Sequence, residues 1–263
     1  MQPYDRPPAH APTIAAIALI VYALASLLHE GAGHGLACSL TGHKPLVLST
    51  VHFECDRDTV FIAAAGTLIN LIAGAFCWAI LRLGDRLAPH LRYFVWLLMT
   101  VNLLDAGGYF LYSGFGNIGD WAFIIQNLHP GWLWRVLLVV FGAASYYLFV
   151  LVSLRELRPF IAGPQWDMAR GKKLTLLPYV AGGVLSCIAG AFNPVGMVLV
   201  AISAAAASFG GTSGLCWMLR LLRGRPAPGG AALPVQRSYV WIIAGVLIAA
   251  AFIGLVGPGI RFP

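Results

Sequence analysis

His29, Glu30 and His34 stand within six residues of one another in an otherwise apolar stretch, ALIVYALASLLHEGAGHGLACSL. Two imidazoles and a carboxylate form a set that can hold and use a metal. The nitrogen ligands suit Zn2+, and Glu30 would be the base that takes a proton from an activated water. The run is H-E-x-x-x-H, one residue longer than the zincin H-E-x-x-H. At about 100° per residue, a spacing of four keeps two histidines on one helix face, whereas five swings the second by roughly 140°. An unbroken α-helix would therefore aim His29 and His34 apart. A π-bulge absorbs one extra residue and restores the shared face. Gly31, Gly33 and Gly35 make either a bulge or local unwinding cheap. The spacing predicts a distorted helix around Gly31 to Gly33. The competing reading is a structural or proton-relay cluster, but three such residues together in a lipid-spanning stretch are costly and point to function.

Catalytic zinc usually takes three protein ligands, so a third is needed beside the two histidines. It must lie at the same depth, on the side away from the N-terminus. Asp120, in Gly119-Asp120-Trp121, is the first candidate. It starts a short apolar stretch, where an aspartate can also be a plain helix cap. Asp105, in NLLDAGG, is the second candidate, with the alternative role of a structural intramembrane carboxylate. His43, His52 and His129 read as solvated loop histidines, and Asp56 and Asp58 in ECDRD as a solvated charge run.

The elements that carry these residues are apolar. Of 263 residues, 59% are hydrophobic and only 10% charged, against about a quarter charged in soluble domains. That excludes a water-soluble globular domain, a disordered chain and a disulfide scaffold. The expected fold is all-α, a polytopic transmembrane bundle of about 6–7 helices. The candidate spans are roughly 13–40, 59–83, 91–112, 133–153, 174–192, 194–219 and 239–258, each near the ~20 residues a bilayer needs. Asn193-Pro194 either turns the chain tightly or kinks one long segment. Residues 1–12 form a polar tail, 13–125 the core that carries the chemistry, and 126–263 further helices with a Pro/Gly-rich linker near 220–238. With seven crossings, the N-terminal face carries 13 basic residues and the opposite face 3, which places the N-terminus in the cytoplasm and the histidines toward the other side. The net charge of +7 therefore belongs to loops, and no nucleic-acid partner is expected. Three of five cysteines lie in apolar runs; Cys38 and Cys55 flank the first loop and could pair. The polar tail and long first apolar run do not read as a cleavable signal peptide.

These residues resemble the site-2 protease family of intramembrane zinc metalloproteases. His29-Glu30…His34 lies in an early helix. AAAGTLINLIAG (Ala63 to Gly74) is similar to the family's small-residue G-P-x-x-N helix, with Thr67 in place of proline. The stretch from Asn102 to Asp120 matches the position of the family's Asn-containing helix that ends in an aspartate ligand. The chain departs from the pattern in its longer zinc motif and in lacking an L-D-G triplet; Asn102 precedes Asp120 by 18 residues and Asp105 by 3. The resemblance implies a divergent member with zinc on His29, His34 and Asp120, Glu30 as catalytic base, a membrane-protein substrate and a cell (inner) membrane location. It also implies zinc nearer the cytoplasm, where the charge split implies the opposite. The competing functions are a non-catalytic scaffold of the same fold and a proton- or cation-coupled transporter using His29, Glu30 and Asp105.

Overall fold

Apolar composition and capping residues set where the helices of the computed structural model begin. It describes residues 7–84, 87–194, 196 and 200–263. Helix α1 (Ala11–Leu40) starts with a proline in its first turn, where a missing N–H costs nothing. Helix α2 (Val60–Leu83) is capped by Thr59, whose hydroxyl accepts from the Ile62 amide at 3.2 Å. Helix α3 (Pro89–Gly116) again opens on proline. A short α4 (Asp120–Ile125) precedes α5 (Gly131–Ile161). Helix α6 (Met168–Ala191) is capped by Asp167, which accepts from the Arg170 amide. The segment 200–222 follows, and then α7 (Tyr239–Val256). Six of these helices are long and apolar enough to cross a membrane, and the chain is a multi-pass membrane protein with an all-α bundle.

Helix α3 is the most buried, packed between α2, α5 and α1, with Trp96, Leu97, Met99 and Leu104 closed off from solvent. Helices α5 and α7 instead show outward apolar faces, including Val136, Val140, Phe141, Val240 and Ile243. Such faces are what lipid, rather than water, would cover.

The termini lie at opposite ends of the bundle. At one end His10 donates to the Val235 carbonyl and Val235 to that of Pro8, while Arg170 reaches the carbonyls of Pro7 and Leu233. At the other end the C-terminal strand joins a hairpin that follows α1. Segment 200–222 runs the length of the bundle once more between α6 and α7. Ser203 sits at the hairpin end and Leu219 packs on Gly171 at the opposite end. The single helix expected over 194–219 is corrected here: 200–210 is wound as π-helix, followed by 3-10 turns around a short α-turn. The run is mostly Ala, Ser and Gly, with Phe209 packed edge-on against Tyr179 of α6. Residues 195 and 197–199 of that expected helix lie outside the described residues. Helices α5 and α6 also run beyond the hydropathy limits, because polar residues at a helix end need not break it. Glu156 stays buried in α5 and faces Arg82 at 3.9 Å.

The 41–58 connection, read from sequence as a polar loop, is a hairpin of β1 (Pro45–Leu48) and β2 (Phe53–Cys55), with β3 (Ile260–Arg261) paired antiparallel to β1. A disulfide joins Cys38 at the end of α1 to Cys55 on β2. The tip is buried, with the hydroxyls of Ser26 and Ser203 donating to the carbonyls of Thr50 and Val51 at 3.1 and 2.7 Å.

Candidate metal centre

Residues Leu28–Gly35 of α1 form a π-helix, the bulged of the two distortions that the five-residue histidine spacing predicts. The wider turn brings both imidazoles to one face. Nε2 of His29 and Nε2 of His34 are 3.2 Å apart. The expected third ligand joins them: Oδ2 of Asp120 lies 3.4 Å from each nitrogen. Tetrahedral zinc with bonds of about 2.0–2.1 Å has ligand-to-ligand edges of roughly 3.3–3.4 Å. The three atoms thus have the dimensions of one face of such a site, and they are the only His, Cys, Asp or Glu group of this kind among the described residues.

Each of the three candidate ligands is positioned from a different element. Nδ1 of His34 donates to the Ile62 carbonyl of α2 at 2.7 Å, which leaves Nε2 free to bind a metal. The His29 ring stacks on Tyr109 of α3, with centroids 4.6 Å apart. Asp120 is brought back to the histidines by a sharp turn after α3, with Asn117 and Gly119 both at positive φ. Gly119, not Asp120, takes the cap position of α4, so the carboxylate is free for the site. Trp121 then pins α4 to α2 by donating from its indole to Thr67 Oγ1 at 3.0 Å. Thr67, the residue in the proline position of the motif, is fully buried in this contact. Burial alone would push the Asp120 carboxyl up; the two imidazoles beside it outweigh that and hold it below the usual carboxylate range.

Close approach of α1 and α2 depends on glycine. A Cβ on Gly33 would meet the backbone of Gly66 at 2.6 Å, and one on Gly66 would meet Nε2 of His29 at 2.6 Å. Glu30 is buried and shares the cavity with His29, His34 and Asp120 without belonging to their triangle. That cavity measures about 340 Å³.

Asp105 is not brought to the histidine–aspartate triangle. Its carboxylate lies on the cavity wall, close to Gly211. Asn102 is buried and donates to the Leu98 carbonyl of its own helix. His43 pairs with Asp56 at 3.3 Å away from the site. One residue read as solvated is corrected: His52 is half-buried and lines the cavity, because the hairpin folds inward, while Asp58 borders the cavity and stays exposed as expected. Tyr109 had no sequence signal beyond its place one turn after Asp105 on α3. No family model, curated protein or solved structure matches the chain.

Proposed function

We propose that the protein is a membrane-embedded zinc metalloendopeptidase, a divergent relative of the site-2 proteases, that hydrolyses peptide bonds of membrane-protein substrates in a cell (inner) membrane. The observation that supports this best is the triangle of His29, His34 and Asp120, whose 3.2 and 3.4 Å edges suit zinc. Those three residues would hold the ion, with His34 oriented by the Ile62 carbonyl. Zinc, when bound, supplies Lewis acidity that makes water nucleophilic near neutral pH.

The chain's own residues supply the rest. Glu30 accepts a proton from the attacking water as the oxygen bonds to the scissile carbonyl carbon, then passes that proton to the departing amide nitrogen as the C–N bond breaks. Ile62, Ala63, Val51 and Phe123 give the cavity apolar walls. Such walls limit bulk water and strengthen the pull of Glu30 on the proton. A base adjacent to the ligand pair favours an enzyme over a metal-bound scaffold, which needs no proton acceptor.

The test is metal content and cleavage together. Purified without chelator and offered zinc, the wild type is expected to retain the ion and to cut a reconstituted transmembrane substrate. A wild type that takes up no zinc sinks the reading. Zinc uptake without cleavage of any transmembrane substrate leaves the non-catalytic scaffold in its place.

A further inference from the structure

Behind the metal centre lies a second, smaller chamber of about 50 Å³. Four buried polar atoms without a hydrogen-bond partner among the described residues belong to residues that line it: Nδ1 of His29, Oγ1 of Thr50, Oδ1 of Asn70 and Oδ1 of Asp105. Ser186 and Ser208 add hydroxyls to its wall. Leaving even one such atom unpaired in a low-dielectric interior is costly, because it loses its hydration with nothing in return. Clustering of four around one space is what a hydrated site leaves behind. A water needs only about 10–15 Å³ of such volume and two to four polar partners, so a few waters fit.

The two histidines differ in one respect. Nδ1 of His34 has the Ile62 carbonyl as its acceptor. Nδ1 of His29 has no acceptor among the described residues. A neutral imidazole that presents Nε2 to a metal carries its proton on Nδ1. Metal-bound histidines almost always donate that proton to a carboxylate, a carbonyl or water. The orphaned acceptors around the same chamber belong to Asp105, Asn70 and Thr50, and Asp105 brings the carboxyl group.

We propose that the chamber holds an ordered water cluster through which Nδ1 of His29 donates to Asp105 and Asn70, making Asp105 a positioning carboxylate for the metal site. This rests on the metal-centre reading above. It gives Asp105 a role without making it a ligand, and it explains why a carboxylate is kept at this depth of α3. Gly211 fits the same arrangement: a Cβ there would come 2.5 Å from Oδ1 of Asp105, so only glycine leaves the carboxylate in its place.

The experiment is a zinc competition titration against a fluorescent chelator, on the full chain in detergent. Asp105→Leu is expected to weaken zinc affinity about 10- to 100-fold, the usual consequence of losing an outer partner. Asp105→Asn keeps an acceptor oxygen and is expected to recover most of that loss. Gly211→Ala displaces the carboxylate without altering its chemistry and is expected to weaken binding in the same direction. Thermal unfolding of the metal-free variants identifies those that keep the wild-type fold, and Gly211→Ala decides if Asp105→Leu does not. Unchanged affinity in a folded variant overturns the proposal. A structure of the metal-free protein that resolves ordered water is the second arm. Water within hydrogen-bond distance of His29 Nδ1 supports the proposal, and a dry chamber overturns it. That arm holds even if the wild type binds no zinc, a result that would sink the metal-centre reading by itself.

Discussion

Gly66 of α2 lies directly beneath Nε2 of His29, so close that a Cβ on it would stand 2.6 Å from that nitrogen. Nε2 of His34 is in contact with the same point. The centre is therefore built on a bare backbone. Gly66→Ala is expected to abolish zinc binding, because the methyl occupies the space into which both ligand atoms project. The accompanying overpacking should cost about 1–3 kcal/mol of stability. Metal content and thermal unfolding measured on the same preparation check it; an alanine variant with full zinc would show that the rings sit elsewhere.

Glu30→Gln separates binding from chemistry. The amide is the same size and removes only the proton acceptor. Zinc content should stay at the wild-type level, while cleavage falls by a factor of about 10²–10⁴, the usual contribution of a general base. Loss of zinc in this variant would make Glu30 a ligand instead.

Asp120→Ala is expected to lose zinc, since it removes one vertex of the triangle. His43→Ala, at a histidine of the neighbouring loop that pairs with Asp56, should leave zinc unchanged. Side-by-side elemental analysis distinguishes loss of a ligand from a general effect of altering this end of the bundle.

Thr67→Val keeps the volume of the side chain and removes the acceptor of the Trp121 indole. A net hydrogen bond is worth about 1 kcal/mol, so zinc affinity should fall about fivefold as α4 loosens. An unchanged affinity would mean that the Asn117–Gly119 turn alone holds Asp120 in place.

Reporter fusions test the passes. Gly229 lies in the linker at the N-terminal end of the bundle, and Pro263 follows the strand that pairs with the hairpin at the other end. Fusions at the two positions should report opposite sides of the membrane, with Gly229 on the cytoplasmic side given the 13 to 3 distribution of basic residues. The same side for both would refute the odd number of passes.

The residues themselves determined more of the site than of its surroundings. Composition alone required a membrane bundle, because a chain with 10% charged residues has nothing with which to face water. The five-residue interval between His29 and His34 called for a bulged or unwound turn, since helical periodicity is a local property readable within two turns, and the structure has the π-helical form of it. What folding decided was distance between elements. Asp105 and Asp120 are both carboxylates on or just beyond α3, and no local rule distinguishes them. The positive-φ turn at Asn117 and Gly119 sends Asp120 back to the histidines, while Asp105 remains one layer behind. The Cys38–Cys55 bond, the inward hairpin that places His52 in the cavity, and the bare backbone of Gly66 under two imidazoles arise in the same way. Each depends on which helix faces approach one another, and that is set by the packing of side chains far apart in sequence.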